Sequence, residues 1–197
     1  MPSNTPLVAY AYVGFDGLAK MPCKAVWTMS SATARSGILY ARSLETEPMD
    51  TYLTQTVGSY TLSDDPRRLD LKAMHAYLRR AYWSEQIPFE VVERATRGSL
   101  CIGVYDAAGA QVGLTRLISD YATFCYVCDV YVLEEHRGRG LSKAMMAMAT
   151  QHPRLQGLRR WNLVTKDAHG LYRQFGFVSP THIDRYMERT VPDIYKL

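Results

Sequence analysis

The chain has 197 residues, 47% of them apolar, which suffices for one buried core and one domain with an appendage. Its formal net charge of +4 is too small an excess to point to nucleic acid, and it suits a small anionic ligand equally well. No apolar run reaches the ~18–20 residues of a membrane-spanning helix, so a soluble, cytoplasmic protein with no membrane partner is expected.

Residues 1–48 show no helical or strand period, and 1–58 read as an extension, expected to be poorly ordered, with Met49 as an alternative start. Leu7 to Phe15 is weakly apolar, but no basic residue precedes it and Asp16 follows, which argues against a secretory signal. Regular pattern begins in residues 59–197. Tyr60 to Leu62 reads as a first strand running into the turn Ser63-Asp64-Asp65-Pro66. Leu71, Met74 and Leu78 recur at helical spacing, predicting a helix that ends near Trp83. Pro88 opens a second helix that Gly98 closes. Leu100 to Tyr105 and Gln111 to Ile118 read as strands joined by the Asp106–Gly109 turn, and Phe124 to Leu133 as a long third strand.

Leu141, Ala144, Met145 and Met148 then form one apolar helical stripe that Pro153 ends, and Arg154 to Arg160 is a basic connector. Trp161 to Thr165 is expected as a strand, Asp167 as the cap of a short helix holding Tyr172, and Phe177 to Val178 and Ile183 to Glu188 as final strands. Of the cysteines Cys23, Cys101, Cys125 and Cys128, the last two form a Cys-x-x-Cys. Residues three apart on a strand face opposite ways, so the two sulfurs should not meet, and no metal site is expected.

The most informative stretch is Glu135-His136-Arg137-Gly138-Arg139-Gly140, lying between the long strand and the Met-rich helix. Strand, glycine-bearing turn and helix present several backbone N–H groups, and the positive end of a helix dipole, to an anion. A dinucleotide fingerprint needs a third glycine where Lys143 stands. A nucleoside triphosphate loop needs a lysine where Leu141 stands.

The run instead resembles the acetyl-coenzyme A loop of the GNAT superfamily of N-acetyltransferases, with Glu135 replacing the usual Gln or Arg. About thirty residues downstream, Leu171-Tyr172-Arg173-Gln174-Phe175-Gly176-Phe177 resembles the Leu-Tyr, three residues, Gly-Phe ending of the same superfamily. The resemblance implies an α+β GNAT fold over residues 59–197, its mixed central sheet splayed around the cofactor and helices on both faces. It implies transfer of an acetyl group from acetyl-CoA, as cosubstrate and without a metal, to a primary amine by direct attack in a ternary complex.

By the same resemblance, the backbone of Arg137, Gly138, Arg139, Gly140, Leu141 and Ser142 would hold the pyrophosphate. Val130, Tyr131 and Val132 would pair with the pantetheine arm, and Tyr172 would protonate the departing thiolate. Asp167 stands where many relatives carry a cofactor-orienting asparagine. Asp129 matches an acidic substrate-binding position of polyamine-type members and would act as base, as amine anchor or as a structural carboxylate. Strand alternation places it with Val127 and Tyr131, opposite Cys128, Val130 and Val132.

A small-molecule amine is the expected acceptor, entering past an aromatic mouth of Tyr82, Trp83, Phe89, Tyr121 and Phe124; homodimerisation is left open. A catalytically silent acyl-CoA-binding module would keep the loop but need neither Tyr172 nor Asp129. An enzyme acting on a protein or tRNA-linked amine has the basic connector, with Arg154, Arg159 and Arg160, as its only hint.

Overall fold

The computed structural model describes residues 51–196, so Cys23, Met49 and nearly all of the expected extension lie outside the described residues. Six strands form one sheet in sequence order: β1 (Thr54–Val57), β2 (Tyr60–Ser63), β3 (Leu100–Tyr105), β4 (Gln111–Ser119), β5 (Phe124–Val132) and β6 (Arg160–Asn162). The first five run antiparallel and β6 joins β5 in parallel. The sheet therefore starts at Thr54, ahead of the boundary expected at residue 59. Gly58, at φ +59, turns the β1–β2 hairpin.

Helices cover both faces. On one, α3 (Leu141–Thr150) and α4 (His169–Arg173) pack Leu141, Met145, Met146 and Tyr172 against Leu62, Ile102, Val104 and Val127. On the other, α1 (Leu71–Leu78) and α2 (Phe89–Arg97) set Met74, Leu78 and Val92 over Cys101, Leu114 and Tyr131. Asp70 caps α1 by accepting the N–H groups of Lys72 and Ala73, each at 3.0 Å. This helix stops five residues before Trp83, because its last carbonyls are taken from outside. Ser84 Oγ donates to the Leu78 carbonyl at 2.8 Å and the Gln86 N–H to that of Arg79 at 2.8 Å.

The C-terminal third departs most from the pattern in the sequence. Strand β6 ends at Asn162, and the expected strands at 177–178 and 183–188 do not form; Ile183–Arg185 is a single 3-10 turn. Strand propensity is a context-dependent preference that needs a packed face to reward it, and here Ile183 and Met187 are left 68% and 97% exposed. Cys125 and Cys128 do face opposite sides of the sheet, the first in the α3 core and the second towards α1 and α2. Among the described residues no helix is long and apolar enough to cross a membrane.

A buried polar knot ties the two ends of this arrangement. Asp64 accepts the Leu53 N–H at 2.6 Å and pairs with His152 Nε2 at 2.9 Å. His152 Nδ1 accepts the Arg154 N–H at 3.2 Å, so its proton sits on Nε2 and is donated to the carboxylate. His152→Ala strips a buried carboxylate of its side-chain donor, and should lower unfolding free energy by about 2–3 kcal/mol in urea titrations.

Burial pushes the Cys101 and Cys125 thiols up to about 12 from an ordinary 9.0. Above pH 9 the unfolded chain loses these protons while the folded chain keeps them. The stability they contribute is complete below pH 9 and lost as pH rises towards 12, with each thiol steepening the fall by at most ~1.4 kcal/mol per pH unit. Urea midpoints measured at pH 7, 9 and 11 should decline accordingly, and the Cys101→Ala, Cys125→Ala double variant should flatten that decline.

Candidate active site

The site begins where two strands part. β5 and β6 pair only at Phe124–Arg160, Cys125–Trp161 and Tyr126–Asn162; β5 then continues to Val132 alone. Its edge towards β6 is thus open beside Val130, Tyr131 and Val132. Tyr131 is fixed by its ring, which stacks on Tyr77 of α1 with centroids 3.8 Å apart.

On its other edge β5 carries a bulge. Leu114 faces Tyr131 and Arg116 faces Cys128, so Asp129 and Val130 together stand opposite Thr115. Asp129 adopts φ +50, in the left-handed region that aspartate tolerates better than most residues. The expected alternation therefore holds after Asp129, which keeps the face of Tyr131 opposite Val130 and Val132, and fails before it. Val127 shares the α3 core with Val130 and Val132, whereas Cys128 and Asp129 both turn towards α1 and α2.

There Asp129 meets a partner that spacing did not reveal. Its Oδ2 accepts Arg116 Nε at 2.6 Å and its Oδ1 accepts Trp83 Nε1 at 3.0 Å. Arg116 Nη1 also donates to Ser99 Oγ at 3.1 Å. Burial works most strongly against the Arg116 charge, but Asp129, Cys128 and Cys101 together outweigh it and raise its pKa above the ordinary value. The pair lines a cavity of ≈ 260 Å³ whose other walls include Met74, Leu78, Ile87 and Val92. One signal for Arg116 was available: a lone charge inside the otherwise buried run from Val112 to Leu117.

Of the expected aromatic mouth, only Trp83 lines this cavity, joined by Tyr126 and Tyr195. Phe89 packs edge-on against His75, and Tyr121 lies under Arg154 at the β4–β5 turn. Lys196 pairs with Glu85 at 3.5 Å, bringing Tyr195 to the cavity wall.

Beyond β5, a 3-10 turn at Glu134–His136 leads into the glycine-bearing loop. Gly138 and Gly140 take φ +74 and +77, a conformation that a Cβ disfavours. The Arg137 N–H is spent on the Glu134 carbonyl, so it is not one of the free donors that the sequence suggested. Its side chain folds back as well, donating from Nε to the Val132 carbonyl at 3.0 Å. Backbone N–H groups from Gly138 through Arg139, Gly140, Leu141 and Ser142 to Lys143 have no acceptor among the described residues. With the start of α3 they form a ready anion cradle. Tyr60 braces it, meeting His136 Nδ1 at 2.9 Å and lying under the Arg139 guanidinium.

Across the split, Tyr172 on α4 is 8% exposed and lines a cleft shared with Trp161, Asn162 and Leu163. Burial, then the nearby Tyr82 and Asp167, push its phenol up to about 12. Asp167 does not cap α4. The helix starts from Ala168, whose N–H goes to Thr165 Oγ1 at 3.1 Å, and Asp167 and His169 are exposed beside it.

Residues 97–179, running from the end of α2 through β3, β4, the loop and α4, match the family model described as an acetyltransferase (GNAT) domain. A Gibberella zeae protein named as a candidate acetyltransferase is 34% identical over 139 residues, covering 59% of this chain and 77% of its own. The chain belongs to the GNAT family of acetyltransferases. A Xanthomonas campestris GNAT-family crystal structure is 47% identical, with a TM-score of 0.69 over 72% of this chain and all of its own. A Staphylococcus aureus structure at 20% identity and TM-score 0.55 shares the fold, covering 67% of this chain and 98% of its own. Within this acetyltransferase the open β5 edge leads into the glycine-bearing loop, and Tyr172 lines a cleft beside β6 that Tyr126 of β5 also borders. The Arg116–Asp129 cavity sits on the α1–α2 side of the same strand.

Proposed function

We propose that the chain moves an acetyl group from acetyl-CoA to a primary amine on a small molecule, by direct attack while both are bound. The observation that carries this reading is the uninterrupted row of unspent N–H groups from Gly138 to Lys143, at the end of a strand with an open edge. Such a row, reinforced by the α3 dipole, suits a diphosphate. The edge at Val130 to Val132 suits an extended amide-bearing arm laid along it.

Acetyl-CoA supplies an activated thioester, so the protein contributes mainly positioning and charge stabilisation. A backbone N–H on the β5 edge polarises the thioester carbonyl. The bound ammonium first loses a proton to solvent. The neutral nitrogen then bonds to that carbon, the carbon–sulfur bond breaks, and the nitrogen sheds a second proton to solvent, from which the Tyr172 phenol is restored after it protonates the sulfur. Asp129, with both oxygens already engaged by Arg116 and Trp83, serves as an anchor for the amine rather than as its proton sink. Tyr172, protonated at every physiological pH, donates a hydrogen to the leaving sulfur.

Two measurements test this. Calorimetry with coenzyme A should show binding, weakened about tenfold or more by the Gly138→Ala, Gly140→Ala double variant. Nothing lies within 4 Å of either added Cβ, so the effect comes from the strained φ, about 1–2 kcal/mol per residue. A flat trace for wild type would defeat the cradle.

Tyr172→Phe should lower thiol release about a hundredfold at unchanged coenzyme A affinity. Because its pKa is about 12, no loss of rate from this phenol should occur below about pH 11. A wild-type fall centred near pH 10, absent from the variant, would contradict the buried, protonated ring.

A further inference from the structure

The cavity under Trp83 holds two opposite charges that only partly satisfy each other. Resting on the reading of β5 above, we propose that this cavity takes a free apolar α-amino acid as the acceptor. Its ammonium sits on Asp129, its carboxylate on Arg116, and its side chain against Trp83, Ile87 and Ala95, over the buried Leu78 and Val92.

A guanidinium carries five N–H donors, and Arg116 spends one on Asp129 and one on Ser99. Both hydrogens of Nη2 find no acceptor among the described residues, on a side chain that is only 15% exposed and forms part of the cavity wall. A fork of this kind is matched best by a carboxylate. Asp129 is similarly half-used. Its two oxygens offer about four acceptor directions, and Trp83 and Arg116 take two of them.

The cavity therefore presents one positive and one negative pole and no excess of either. A plain amine would set its ammonium beside Arg116 with nothing for the guanidinium to hold. A plain acid would face Asp129 in the same way. A molecule with both poles on one carbon answers both at once, so the pairing selects by repulsion as well as attraction. Size points the same way. The ≈ 260 Å³ volume falls below the ~300–1,000 Å³ of drug-sized sites, and Tyr195 forms part of the wall, which leaves room for one amino acid rather than a peptide chain.

The test is calorimetry on the full chain with coenzyme A present. L-leucine is compared with 3-methylbutylamine, which lacks the carboxylate, with 4-methylpentanoate, which lacks the amine, and with L-leucinamide. Leucine should bind at least tenfold more tightly than each of the three. Arg116→Gln should erase that preference at unchanged coenzyme A affinity. Arg116→Lys, which keeps a positive charge opposite Asp129 and so guards the fold, should reduce it at an unchanged melting temperature.

Equal binding of the amine or the amide, absence of leucine binding, or a full preference surviving in folded Arg116→Lys would overturn the proposal. Leucine that binds in an Arg116-dependent manner, yet releases no thiol when acetyl-CoA is supplied, would confirm the cavity's ligand and defeat acetyl transfer instead.

Discussion

Every buried backbone N–H and C=O needs a partner, and β5 meets that requirement on one side only. Towards β4 it is paired along most of its length. Towards β6 the ladder stops at Tyr126 and Asn162, although β5 runs on for six more residues. A half-paired strand in the middle of a sheet persists only if its side chains are locked from both faces. Val127, Val130 and Val132 are held by the α3 core, and Tyr131 by its stack on Tyr77. The open edge is the cost of this arrangement and also its use, since an extended ligand can complete the ladder.

The bulge at Asp129 and Val130 does the complementary work. It lets one strand send apolar residues to α3 on either side of the defect, while turning two consecutive side chains, Cys128 and Asp129, towards α1 and α2. Without the extra residue, strict alternation would place Asp129 on the α3 face among methionines and valines. With it, the carboxylate meets Arg116 and Trp83 at the edge of a cavity. The charged pair and the backbone defect thus support one another. The left-handed φ at Asp129 is offset by two hydrogen bonds that only this orientation allows.

Much of this was legible in the sequence where local chemistry sets structure. The Asp106–Gly109 hairpin, the Pro88 opening of α2, the glycine loop and the methionine stripe of α3 all follow from turn residues and periodicity. The splayed α+β sheet followed from the resemblance rather than from spacing. Features decided by distant partners stayed hidden. The bulge has no glycine to announce it and depends on how β4 and β5 slip past each other. Arg116 looked like one charge in a strand because its partner lies 13 positions on. The Asp64–His152 knot joins residues 88 apart, and the failed strands after Phe177 had the right composition but no buried face to pack.

Burial of the thiols has a practical consequence for anyone studying this acetyltransferase. Cys101, Cys125 and Cys128 all sit at about 12, so almost none of their sulfur is thiolate near neutrality, and the thiolate is what attacks a disulfide reagent. Colorimetric detection of released carrier thiol can therefore run continuously in native enzyme with little background from these three sites. The same reagent added after denaturation would report their unmasking, turning one chemistry into both an activity readout and a folding readout.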